Sequence, residues 1–227
     1  MHVNQGNPQG MRMRAAGGVG GIDLRMTLLP EKLQAMYRTR AVVGKWHCGA
    51  YSQAHLPINR GFSRHFGFLG GGEDHVTQQS YEMGMAVDLW RDRHPAHGEN
   101  GTYSCNLYGR EAVDIVDQHV SNRDGSAATA GLFLYLAFHD THSPYQSLPQ
   151  YEDPTIVGPG AELRKTMQAM LTCVDQATGN LTAALKRHGL WAETLLVWSS
   201  DNGGPQYWAG NNHPFRGTRI LAVHCCM

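Results

Sequence analysis

A chain of 227 residues can bury one sizeable core, and a single α/β domain is the first expectation for it. Lys plus Arg and Asp plus Glu each total 19, so the formal net charge of +0 gives no reason to expect a nucleic-acid backbone or an anionic membrane as partner. No apolar run approaches the roughly 18 residues of a membrane span, and the 5 cysteines (Cys48, Cys105, Cys173, Cys225, Cys226) form neither a Cys-x-x-Cys pair nor a zinc-ligand spacing.

Residues 1–20 are polar and Gly-rich and read as a flexible lead-in, because Gly, Asn and Gln bury too little surface to offset ordering entropy. They hold no apolar stretch of the kind a secretory leader carries. Thr27 to Tyr37, with a Thr cap, Pro30 in the first turn and apolar Leu29, Leu33 and Met36, predicts a short helix. Ala41-Val42-Val43 predicts a buried strand running into Gly44-Lys45-Trp46-His47. From Cys48 to Ser104, Gly, His and aromatic residues without sustained periodicity predict long loops over a functional face.

Ala112, Val113, Val116 and Val120 fall at helical spacing over Glu111 to Val120. Leu132 to Phe138 is a continuous apolar run, as expected for a strand covered on both faces. Leu163, Met167, Met170, Val174, Leu181 and Leu185 form one stripe of a long helix, in which Gly179 is a candidate bend. Thr194 to Trp198 predicts a further apolar strand, ending in Ser199-Ser200-Asp201-Asn202-Gly203-Gly204. Strands separated by helices imply crossover connections and a mostly parallel sheet, with ligands bound beyond the carboxyl ends of its strands. Each strand candidate is followed at once by chemically capable residues: Lys45 and His47, then His139, Asp140 and His142, then Asp201 and Asn202. That coincidence points to one shared site.

Each feature also has a plain structural account. Asp201-Asn202-Gly203-Gly204 offers oxygen ligands for a hard cation, yet these residue types favour turns for backbone reasons alone. Lys45 and His47 share one face of an extended segment and suit anion binding and proton transfer; a surface Lys and a half-buried His would look the same. His142-Ser143-Pro144 carries an imidazole on a Pro-stiffened loop, where a single His is often only structural. Arg216 and Arg219 flank Gly217 and could grip a tetrahedral oxyanion, or could simply be solvated. Gly70-Gly71-Gly72 lacks the Lys-Ser or Lys-Thr of a P-loop, and no Gly-x-Ser-x-Gly elbow occurs. Asn100-Gly101-Thr102 and Asn180-Leu181-Thr182 match the glycosylation acceptor pattern, a hint of secretory ancestry.

Taken in order, these segments resemble the arylsulfatase B type of sulfatase. Thr27 to Leu33 with Val43-Gly44-Lys45-Trp46-His47, Arg60-Gly61-Phe62 with Phe66-Gly67-Phe68, Phe133 to Pro144, and Ser199 to Gly204 with Asn211-Asn212, Pro214 and Arg216-Gly217 carry the resemblance from about residue 21 to residue 219. It implies an alkaline-phosphatase-like α/β fold, a mostly parallel sheet flanked by helices, with residues 21–219 as a partial catalytic domain and 220–227 as an atypical tail. It further implies hydrolysis of sulfate esters by a formylglycine acting with Ca2+. By position Asp201 and Asn202 would be metal ligands, Lys45 and His47 would contact the formylglycine and the sulfate, and His142 would assist the leaving group. Arg219 stands where the family usually has a sulfate-binding Lys.

The family's Cys-x-Pro-Ser-Arg signature and its N-terminal acidic pair are not in the sequence. With no precursor for the nucleophile and with two inherited oxygens against the about 6–8 that calcium takes, the expectation is little or no turnover and a weakly held ion. The expected partner is a sulfated small molecule or sulfated glycan, with no nucleic acid and no membrane span. The resemblance implies a secreted or lysosomal glycoprotein. A non-catalytic binder of sulfated glycans and a phosphoesterase of the same superfamily are the alternatives.

Overall fold

The computed structural model describes residues 21–122 and 131–215. The lead-in at 1–20, Arg216, Gly217, Arg219 and the 220–227 tail lie outside the described residues. The framework is a five-stranded sheet in the order β6-β5-β2-β1-β7, built from β1 (Thr39–Gly44), β2 (Arg64–Gly67), β5 (Trp90–Arg91), β6 (His94–Pro95) and β7 (Leu132–Ala137). β1 runs parallel to both β2 and β7, with Val43 opposite Phe66 on one side and Leu136 on the other. The two short outer strands are antiparallel. A separate hairpin-like pair joins β3 (Gln79–Ser80) to β4 (Ala86–Val87).

Alternation along β1 explains the layers, because successive side chains of a strand point to opposite faces. Ala41 and Val43 enter one core cluster with Phe66, Phe68, Leu107, Tyr108 and Ile115. Val42 between them enters the other, with Ile22, Leu28, Trp46, Phe62 and Leu69. The first face is covered by α2 (Ser104–Ser121) and α3 (Ala161–Arg187), whose Ala112, Val116, Leu181, Ala184 and Leu185 interlock. α3 runs unbroken through Gly179. Among the described residues no helix is long and apolar enough to cross a membrane.

Four expectations need correction. The helix predicted over Thr27 to Tyr37 is a single turn, α1 (Leu29–Lys32), capped by the Glu31 carboxylate accepting the Leu28 N–H at 2.5 Å. Arg60 holds Glu31 from the other side at 3.0 Å, so this turn is fixed by a tertiary ion pair rather than by helix length. The stretch from Cys48 to Ser104 contains β2 to β6 as well as loops, and its short strands give too few residues for periodicity to register. Among the described residues β7 ends the sheet and is not fully covered on both faces: its residues are half-buried and Tyr135 is 52% exposed. Thr194 to Trp198 forms no strand. Leu195, Val197 and Trp198 are 88%, 76% and 62% exposed, since no described strand offers the segment a hydrogen-bonded ladder.

Candidate functional site

The site forms where the chain leaves the carboxyl ends of β1, β2 and β7. Gly44 ends β1 at φ +94, and a Cβ there would sit 2.0 Å from the Ala137 carbonyl, so this exit accepts only glycine. The chain stays in step with its neighbours beyond the sheet: Lys45 N–H donates to Ala137 O at 2.9 Å, Trp46 N–H to Phe68 O at 2.9 Å and His47 N–H to Leu69 O at 3.2 Å. Trp46 is buried and its indole N–H is anchored by the Gly49 and His55 carbonyls. Alternation then leaves Lys45 and His47 half-buried on the other side. His47 has φ +46, a left-handed conformation that costs a non-glycine residue energy and that functional sites retain.

Gly70-Gly71-Gly72 forms the floor. Its rear is held by acids: Gly70 N–H donates to Asp88 Oδ2 at 2.8 Å and Gly71 N–H to Glu82 Oε2 at 2.9 Å. The side toward which a Cβ would project is lined by imidazoles and, at Gly71, by the Glu82 carboxylate as well. A Cβ on Gly71 would lie 2.8 Å from His47 Nε2, and one on Gly72 would lie 3.6 Å from both His139 Nε2 and His142 Cε1. His47 therefore lines Gly71, and His139 and His142 line Gly72 next to it; a side chain at Gly71 would displace His47, whereas one at Gly72 would only touch its imidazoles.

Behind them stands a ladder of rings. Tyr103 stacks on His75 at 5.2 Å, His75 on His139 at 4.3 Å, and His139 on His142 at 5.2 Å. His75 Nε2 faces the His142 carbonyl at 3.2 Å, which can only accept, so Nε2 carries a proton, while Nδ1 lies 2.7 Å from the Ser104 hydroxyl. Tyr103 donates to Asp140 Oδ1 at 2.5 Å. Burial, then the charges of His75, His142 and Lys45, hold His139 well below the usual imidazole range, so it stays neutral. Both its ring nitrogens are buried without a hydrogen-bond partner. Burial likewise pushes the Glu73 carboxyl well up despite a hydrogen bond from Tyr108. The floor therefore carries both signs: the Lys45 ammonium acts on His139, while the Glu82 and Asp88 carboxyls bond the glycine N–H groups.

Of the predicted residues, Lys45, His47 and His142 come together. Asp201 and Asn202 stand in the exposed stretch after residue 194, and the nearest atoms over Gly70 to Gly72 come from Ser80, Glu82, Asp88, His47, His139 and His142 instead. Asn202 donates to Gly203 O, and Asn212 clamps Gly204 through bonds of 2.8 and 2.7 Å, so this loop has its own local order. Its reach toward the sheet is electrostatic: burial first, then Cys48 and Asp201, raise the Tyr135 phenol on β7. Among the described residues no group of three or more His, Cys, Asp or Glu could hold a metal ion, and Asp201 with Asn202 supplies too few oxygens for calcium. The residues present do not fit that ion. Arg219 lies outside the described residues. Sequence reasoning missed His75, Glu82 and the glycine floor; the glycine triplet itself was the available signal.

An alkaline-phosphatase-like α/β layer carrying an imidazole-lined cradle at its strand ends defines a class, and comparison with known proteins specifies it. The family model described as Sulfatase matches residues 4–220, and the chain belongs to the sulfatase family. It is 35% identical over 196 residues to mouse arylsulfatase J, covering 84% of this chain and 31% of that protein. It is 29% identical over 209 residues to mouse N-acetylgalactosamine-6-sulfatase, covering 87% of this chain and 37% of that protein. The crystal structure of Ps i-CgsB in complex with k-i-k-neocarrahexaose superposes with a TM-score of 0.77 at 28% identity, over 91% of this chain and 46% of the other. PsFucS1 sulfatase from Pseudoalteromonas sp., at 21% identity and a TM-score of 0.64, shares the fold. The chain thus spans roughly a third to under a half of the length of these relatives. Sulfatases generally use Ca2+ and a formylglycine.

Proposed function

We propose that this chain supplies the sulfate-recognition side of a sulfuric ester hydrolase site and does not turn over sulfate esters by itself. The observation that carries the reading is the meeting of His47, His139 and His142 over Gly71 and Gly72, in a chain that the Sulfatase model matches over residues 4–220. Lys45 would bring a cation to a tetrahedral oxyanion. Protonated His47 would add a charge-assisted hydrogen bond, and the neutral His139 behind it excludes a competing charge. His142, held by the ring ladder and by His75 on its carbonyl, would give a proton to the bridging oxygen as the alcohol departs.

No step is assigned to calcium or to a formylglycine, because the described donors do not fit the one and the sequence lacks the Cys-x-Pro-Ser-Arg context of the other. A sulfated glycan is the proposed ligand class, supported by a relative whose crystal structure holds neocarrahexaose, and the secretory pathway is the proposed setting.

Calorimetry of the purified chain with a sulfated disaccharide tests the proposal. The expectation is measurable binding, weakened at least about tenfold by Lys45→Ala and by rising pH as the imidazoles lose charge. Binding unchanged in Lys45→Ala would remove the cradle from the function. Robust turnover of an aryl sulfate by the purified chain would overturn the inactivity.

A further inference from the structure

We propose that Cys105 and Cys173 form a disulfide that ties α2 to α3 when the chain matures in an oxidising environment. Both side chains are essentially inaccessible, at 0% and 1% exposure, and they share a buried cluster with Tyr103, Val174 and Ala177. Cys173 donates its S–H to Asn106 Oδ1 at 3.1 Å, on the residue next to Cys105. The helices lie in parallel register here. One turn further along each, Gly109 and Ala177 make a very close approach, since a Cβ on Gly109 would fall 2.7 Å from the Ala177 Cβ. Further on, Asp117 of α2 meets His188, just past α3, at 2.6 Å. Cys105 and Cys173 are therefore opposite one another, a turn before a glycine-mediated crossing, where backbones are near enough for the short Cα separation a disulfide demands.

No other described cysteine can compete. Cys48 packs against the cluster on the opposite face of the sheet. Nothing in the cradle uses either thiol. The bond would close a long loop that contains all of β7 and His142, and would hold the two covering helices together on the face behind the site.

The chemistry balances with a small disulfide such as oxidised glutathione as the oxidant. One thiolate attacks it, giving a mixed disulfide and one glutathione thiol. The second cysteine displaces the other glutathione, so two protein thiols lose two electrons and two protons and one glutathione disulfide becomes two thiols. Hydrogen bonding to Cys173 and burial both push the Cys105 thiol far up, which places this exchange during folding, before the helices close.

The test is to refold the full chain in a glutathione redox buffer, block free thiols with N-ethylmaleimide in denaturant, and map peptides without reductant. The expected result is a Cys105–Cys173 cross-linked peptide pair, retained in Cys48→Ser and absent from Cys105→Ala/Cys173→Ala. Its thermal midpoint should fall by roughly 5–10 °C on reduction, and that of the double variant should not move. Full alkylation of both cysteines, or their pairing with Cys48, Cys225 or Cys226, overturns the proposal. If refolding fails, the same mapping on chain secreted into an oxidising compartment gives the same pair of outcomes.

Discussion

Two stretches of this molecule have the same local grammar and opposite fates. Ala41-Val42-Val43 leads through Gly44 to Lys45 and His47; Leu195 to Trp198 leads through two serines to Asp201 and Asn202. The first is wholly buried between two parallel neighbours and delivers its polar residues to a floor of glycines. The second carries equally apolar side chains out into solvent and delivers its polar residues to a self-contained turn. A strand is a cooperative object: its backbone groups need ladders on either side, and only then do alternating side chains find faces to fill. Chemistry that depends on convergence follows the strand that has partners.

Mutation should expose this contrast as a graded series. Phe66→Ala, which empties a core position paired with Val43, should cost about 3–5 kcal/mol in chemical denaturation. A loss below about 1 kcal/mol would mean the sheet centre is not the core.

The next effect is pH-dependent. Burial holds the His65 imidazole, in β2, down to about 4. An unfolded His binds its proton near pH 6.5, so between about 6.5 and 4 the unfolded chain binds more protons and stability falls as the pH drops, by up to about 3 kcal/mol. The buried carboxyls of Glu73, Asp88 and Asp140, raised chiefly by burial, act in the opposite sense, losing stability as the pH rises. His65→Phe isolates the first effect: its stability should decline less than the wild type's between pH 6.5 and 4.

Gly71→Ala probes the floor itself. A methyl there would meet His47 Nε2 at 2.8 Å and Glu82 Oε1 at 3.0 Å, both side-chain ends that can move. The chain should stay folded while sulfate affinity drops roughly tenfold, about 1.4 kcal/mol. Unchanged affinity measured by calorimetry would separate His47 from the anion. The smallest change belongs to Val197→Ala, expected within about 0.5 kcal/mol of wild type because little of the side chain is covered. A core-sized loss would show that the segment is packed in solution.

Periodicity found α2, α3 and β1 because each is long enough, or buried enough, for its pattern to be read locally. It failed for β5 and β6, where two residues per strand carry no period; it placed β7 correctly, but the apolar run could not reveal how much of that strand stays uncovered. Lys45, His47 and His142 were legible as residues following strands, and ordered motifs raised them above chance. His75 sits in a turn and Glu82 in the single 3-10 turn Tyr81–Met83, neither with distinguishing neighbours, so their place beside the site comes from the path of the chain alone.

By itself the amino-acid order determined the kinship, the helical faces and which residues could bind an oxyanion, since motifs and spacing are local properties. The tertiary structure alone decided which of them share a location. Gly71 and Gly72 matter because three imidazoles from two distant segments line them, and Asp201 and Asn202 follow a run that finds no ladder among the described residues. Convergence depends on pairing between segments far apart in the chain, and no local pattern encodes it.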